Sequence, residues 1–240
     1  MAYKRNPSGR LTHFLAIPLS TDAIEQSLSL FRDEIIKHHP NVPVKAIRPP
    51  STVHLTIAVM SLGEGRNSRL DEAKMRLIQL PSSIIPASTL EVGLKGIETF
   101  SDANPERAHV LFASLIGADV PRLQVFADKT LEYFYNCGFP VQLKNGATNK
   151  VVLHATIVNT IYAKTKNDQF DANQARAKTL GQRKNMTFRP NINASDLIAK
   201  YADFEFLSPT KLTRIGLYKM GEKSAEEGGG YECVAYLDLP

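Results

Sequence analysis

Two tetrapeptides of the same grammar, His54-Leu55-Thr56-Ile57 and His154-Ala155-Thr156-Ile157, stand 100 residues apart. Both lie in apolar, β-branched runs. Alternate side chains of a strand share a face, so each copy presents an imidazole and a hydroxyl side by side. With this chain's six histidines, the pattern histidine, apolar, Ser/Thr, apolar is expected by chance about 0.1 times, and twice only about 0.01 times. A single copy reads equally well as a strand histidine bonded to a neighbouring carbonyl. The pair reads as two halves of a site.

Two imidazoles facing each other suit phosphodiester chemistry by acid and base. An unperturbed ring titrates at about 6.5, so one can accept the nucleophile's proton while the other delivers a proton to the leaving oxygen. In-line displacement needs these groups on opposite sides of phosphorus, which two separate strands can supply. Thr56 and Thr156 would then hold the non-bridging oxygens, where charge persists through the transition state. The alternate residues Val53, Leu55, Ile57 and Val59, with Val151, Leu153, Ala155 and Ile157, are expected to face packed core and fix the rings. The sequence leaves open which histidine is acid and which base.

Around this nucleus, Arg48 and Lys150 lie just upstream of the two motifs and are candidate phosphate contacts, although ordinary surface charge explains them as well. Phe14, Tyr162 and Tyr218 are candidates for stacking on a base. No metal is expected: two histidines 100 residues apart, with no Asp, Glu or Cys at ligand spacing, leave a divalent ion short of ligands. His38 and His39 read as a helix end, and His109 as a single strand histidine. His13 or its neighbours in the first strand could border the cleft.

The elements needed to carry the motifs are legible along the chain. Leu11–Leu19 reads as a strand, and Thr21 or Asp22 with Glu25 as the capped start of a helix running toward Lys37. Pro40, Pro43, Pro49 and Pro50 enforce an extended connection to the motif strand Val53–Met60. An amphipathic helix from Ser68 to Leu80 and a strand pair, Thr89–Phe100 with Ala108–Ile116, complete the first half. A helix follows over Pro121–Cys137, with Leu123, Phe126, Ala127, Leu131 and Phe134 on one face and Gly138 at its end. Val151–Val158 is the second motif strand. The polar stretch Ala163–Pro190, with seven Lys/Arg against two Asp, reads as a solvated insertion in preference to an RNA-contacting element. A short helix at Ser195–Tyr201 and strands at Asp203–Leu207 and Lys211–Met220 follow. A loop holding Gly228, Gly229 and Gly230 then returns the chain into Tyr231–Leu239 as a hairpin.

Composition bounds the remainder. The 240 residues are 43% hydrophobic and 22% charged, with a net charge of +5 and a pI near 9.1; this is a folded chain for which an anionic partner is admissible. Cys137 and Cys233 are too few for a disulfide framework and read as thiols in a reducing compartment. No secretory h-region and no bilayer-length apolar run occurs, so an intracellular, soluble protein with no membrane partner is expected.

At HLTI and HATI the chain resembles the 2H phosphoesterase superfamily, named for two such motifs. Within it, THFLAIPL, VHLTIAVMSL, KVVLHATIVNT and RIGLYKMG resemble the A-kinase-anchoring-protein-type phosphoesterase domain, particularly that of the first subunit of the activating signal cointegrator complex. The resemblance implies an α+β, bilobal, RNA ligase-like fold over residues 1–240, with two facing, mainly antiparallel sheets, flanking helices and a central cleft. It implies cofactor-free action on RNA ends, 2′,3′-cyclic phosphates or short oligonucleotides, with His54, Thr56, His154 and Thr156 as the catalytic set. The alternative it carries is a nucleotide- or RNA-binding subunit of an activating signal cointegrator-type complex, nuclear or cytoplasmic, with little turnover. That subunit holds a KH module ahead of its phosphoesterase domain, which residues 1–10 are too few to hold, so a stand-alone relative or a fragment is expected.

Overall fold

Helices begin and end where the sequence supplies the capping groups. The computed structural model describes residues 10–63, 65, 68–100, 103–141, 150–166, 187–224 and 229–240. Helix α1 (Asp22–His38) starts behind Thr21, whose extended backbone lets its hydroxyl accept the Ile24 N–H at 3.3 Å. Ile24, Leu28, Phe31 and Ile35 follow as one buried stripe at helical spacing. Helices α2 (Leu70–Ile78), α3 (Val120–Asn136) and α4 (Ser195–Lys200) fall where the periodicity predicts them. The whole expected face of α3 is buried. Its end is a Schellman turn: Gly138 takes φ 78°, the Gly138 N–H bonds the Tyr135 carbonyl, and the Phe139 N–H bonds that of Phe134. The Phe134 and Phe139 rings close the turn at 5.4 Å.

Eight strands make one antiparallel sheet. They are β1 (His13–Pro18), β2 (His54–Met60), β3 (Glu91–Glu98), β4 (Val110–Ile116), β5 (Ala155–Asn159), β8 (Glu205–Lys211), β9 (Arg214–Ser224) and β10 (Gly230–Asp238). β6 (Thr165–Lys166) and β7 (Thr187–Phe188) pair separately. The order β10-β9-β1-β2-β5-β4-β3-β8 makes the two expected sheets the four-stranded halves of a single curled sheet. They meet at a seam between β2 and β5. The ladder there has one partnered pair, Leu55 with Ala155. It is flanked by an Ile47–Val158 bridge and by the Arg48 N–H on the Ile157 carbonyl at 2.8 Å.

The two motif strands share an irregularity. Against β1, Leu15 pairs with Ala58 and Ala16 with Thr56, which leaves Ile57 as an extra residue; against β4, Leu111 pairs with Val158 and Phe112 with Thr156, which leaves Ile157 extra. Each motif therefore ends on a β-bulge, and the bulge reverses the alternation after it. Ile57 and Ala58 both enter the core, so Val59, expected inside, packs instead with Phe14, Ala16 and Tyr218 on the opposite face.

The main core lies between the helices and the sheet face that carries Leu55, Ile57, Ala155 and Ile157. Phe31, Phe134, Phe139 and Phe206 are fully buried there, each contributing about 1.5–3 kcal/mol. The opposite face is left to the histidines. Several expectations need correction. The proline-rich connection is not simply extended, because Val44–Ala46 and Pro50–Thr52 form 3-10 turns. The second motif strand starts at Ala155, four residues later than expected. Most of Ala163–Pro190, and Gly228, lie outside the described residues. No described helix is long and apolar enough to cross a membrane.

Candidate active site

The seam register brings the motifs together. Leu55 opposes Ala155 in an antiparallel pair, so one step either way sets His54 against Thr156 and Thr56 against His154. A local twofold thus relates two His-Thr pairs on the face away from the core. Both threonines are half-buried, and neither hydroxyl is engaged by another protein group among the described residues.

Both imidazoles are anchored in the same way. His54 Nδ1 lies 2.7 Å from the Thr52 carbonyl and His154 Nδ1 lies 2.6 Å from that of Val152. A carbonyl only accepts, so each Nδ1 carries hydrogen and each neutral ring keeps its Nε2 lone pair. Aromatic rings fix both: Phe14 and Tyr231 stand 4.9 and 5.5 Å from His54, and Phe100 and Phe112 stand 5.0 and 5.4 Å from His154. The carbonyl bond that explains one strand histidine without chemistry is present in both copies, and the register shows that it also presets both tautomers.

Burial against these groups lowers the His54 pKa to about 4, with the charges of Arg48 and His154 adding to the effect and the Thr52 carbonyl opposing it. His54 is therefore a neutral acceptor at pH 7.

Arg48 is buried beside the seam. Its Nη2 donates to the Tyr231 hydroxyl at 3.1 Å, and its guanidinium lies 3.8 Å over the Tyr162 ring. The Tyr162 and Tyr231 hydroxyls are 3.1 Å apart, so a residue following β5 meets one on β10 across the cleft. Burial, and next the bond to Tyr162, push the Tyr231 pKa up to about 12, which keeps the phenol neutral. Arg48 has no carboxylate partner among the described residues, and its buried cation suits an anion arriving at the seam.

Of the other sequence candidates, Phe14 and Tyr218 line a cavity next to His54, and Tyr162 covers Arg48. The Tyr218 ring folds back over Gly216, where a Cβ would lie 2.6 Å from it. Lys150 is exposed on the approach to β5 and is not brought into the cluster. Of the first strand it is His13's neighbour Phe14 that borders the cleft; His13 is buried, and alternation turns it to the other face. His109 Nδ1 lies 3.0 Å from the Pro190 carbonyl and ties two chain segments together. Sequence reasoning missed Tyr231, Phe100, Phe112 and Arg214. Only Tyr231 carried a signal, as an aromatic residue directly after a glycine turn. Among the described residues no group of three or more His, Cys, Asp or Glu side chains could hold a metal ion.

Comparisons with known proteins agree with this layout. The family model of the AKAP7 2′5′ RNA ligase-like domain matches residues 11–239. Two solved structures share the fold. One is TT0787 of Thermus thermophilus, at 14% identity and TM-score 0.50 over 95% of this chain and 98% of that one. The other is a phosphoesterase, at 17% identity and TM-score 0.50 over 96% and 99%. E. coli LigT complexed with NADP+ is also similar, at 20% identity and TM-score 0.49 over 97% and 99%. The two-histidine seam and a family match over nearly the whole chain lead to one conclusion: this chain belongs to the AKAP7 2′5′ RNA ligase-like family of 2H phosphoesterases and is a phosphodiesterase of that class.

Proposed function

We propose that the protein is a metal-independent phosphodiesterase acting on RNA ends, 2′,3′-cyclic phosphates or short oligonucleotides. The observation that carries this reading is the seam register, which sets His54 beside Thr156 and Thr56 beside His154 with both Nδ1 atoms tied to backbone carbonyls. His54, neutral at pH 7, accepts the nucleophile's proton at Nε2. His154, on the other side of phosphorus, delivers a proton from Nε2 to the leaving oxygen. The Thr56 and Thr156 hydroxyls donate to the non-bridging oxygens, and Arg48 offsets the charge that collects there. After cleavage His54 is protonated and His154 neutral; proton exchange with water restores both.

The test is incubation in EDTA with 2′,3′-cyclic nucleotides and with 2′,5′- and 3′,5′-linked oligoribonucleotides, products being resolved by mass. Wild type should turn over at least one linkage, and His54→Ala and His154→Ala should each lose about 10²–10⁴ in rate. Activity that vanishes with EDTA and returns with a divalent ion would overturn the mechanism. Nucleotide binding by wild type with no product from any linkage would favour instead a binding subunit of an activating signal cointegrator-type complex.

A further inference from the structure

A cavity of about 340 Å³ opens beside His54, at the small end of the range for ligand pockets, about 300–1,000 Å³, and of a size for one nucleotide unit. Among the described residues its walls come from β1, β2, β9, β10 and the turns beside them, and none comes from the His154 half. A phosphodiester held at the seam has one group on each side of phosphorus. This cavity adjoins the His54 side of that position.

Its chemistry has two parts. The inner wall is aromatic: Phe14 and Tyr218 stack at 5.5 Å with 23° between their planes, and Tyr231 meets Phe14 edge-on at 5.0 Å. A flat apolar face next to an edge suits a nucleobase. The outer wall carries Arg214 with the hydroxyl residues Ser20 and Ser51. The Arg214 guanidinium lies 5.6 Å from the Tyr236 ring centroid and has no carboxylate partner among the described residues. A half-exposed guanidinium with two hydroxyl groups nearby matches a phosphate monoester, which offers several acceptor oxygens to forked donors. The acid/base chemistry at the seam does not use this cation.

We infer that the cavity is a nucleotide subsite that takes the terminal nucleoside of the substrate and reads a terminal phosphate with Arg214, so that the protein selects end-phosphorylated substrates. The inference rests on the phosphodiesterase reading of the seam. Its test has two arms, both on the full chain. Calorimetric titration with adenosine 5′-monophosphate, adenosine 3′-monophosphate and adenosine measures the phosphate preference directly. For wild type at least one monophosphate should bind about 10–100-fold more tightly than adenosine. Arg214→Gln should bring that ratio close to one, and Arg214→Lys should recover part of it, with thermal unfolding confirming that both variants fold. A preference that persists in Arg214→Gln and disappears in His154→Ala would put the phosphate at the seam and overturn the inference, as would a wild type indifferent to phosphate.

The second arm compares kcat/KM for a dinucleotide with and without a terminal phosphate. The ratio should fall toward one in Arg214→Gln. Arg214-dependent binding with no turnover of either dinucleotide would sink the phosphodiesterase reading and leave the subsite standing. Turnover that ignores the terminal phosphate would sink the subsite alone.

Discussion

His54 should titrate near pH 4, and both folding and turnover should carry the mark of it. The unfolded chain takes up a proton on this ring below about 6.5, whereas the folded protein holds it off until about 4. Between those values the unfolded state binds more protons, so stability rises with pH. The contribution is present in full above pH 6.5 and is lost as pH falls to 4. At about 1.4 kcal/mol per unit, the gap is worth about 3 kcal/mol. His54→Asn keeps a donor for the Thr52 carbonyl and removes the titration. Guanidinium denaturation of wild type and variant from pH 4 to 7.5 should show the wild-type advantage shrinking by about 3 kcal/mol toward the acid end, and thermal midpoints converging by roughly 6–12 °C. Stability curves that stay parallel across the window would refute the burial argument. The kinetic counterpart is an acid limb of kcat/KM close to pH 4. A base titrating at 6.5 would already have lost about tenfold at pH 5.5, so a fall of that size there would refute the assignment of His54 as base.

Three further perturbations address other parts of the structure. Arg48→Met removes a cation that holds the His54 pKa down, so the acid limb should move toward neutral pH; the Tyr231 hydroxyl loses one partner and keeps Tyr162, so stability in denaturant should fall by about 0.5–1.5 kcal/mol. Gly216→Ala would put a methyl group within 2.6 Å of the Tyr218 ring; the ring must leave its stacked place beside Phe14, and KM should rise with kcat nearly unchanged in steady-state kinetics. Gly138→Ala forces a side chain into φ 78° at the end of α3 and should lower stability by about 1 kcal/mol without altering the pH profile.

Much of the site was legible because it is local. A histidine and a threonine two residues apart share a strand face whatever the strand pairs with, and the helical face of α3 follows from its apolar spacing alone. What could not be read is what pairing decides. That the two half-sheets join through Leu55 and Ala155 depends on contacts 100 residues apart. The bulges at Ile57 and Ile157 exist only relative to the neighbouring strands, so nothing local warned that Val59 would leave the core. Arg48 and Lys150 looked equivalent, each a cation upstream of a motif. Yet Arg48 is drawn in by Tyr162 and by Tyr231, 183 residues away, and Lys150 stays in solvent. Phe100 and Phe112 flank His154 through the β3–β4 hairpin, which no spacing rule connects to the second motif.

The seam between β2 and β5 has a mechanical meaning. The two strands that carry the motif histidines also join the halves of the sheet through one ladder pair, and the segment leading into β2 adds the Ile47–Val158 bridge and the Arg48 amide. The separation of the imidazoles is therefore a property of the joint itself, with no intervening lever. A substitution that loosens the joint changes the distance between the two imidazoles, even at a residue remote from both. Leu55 and Ala155, buried and chemically inert, act as the gauge that sets the working distance of the two histidines.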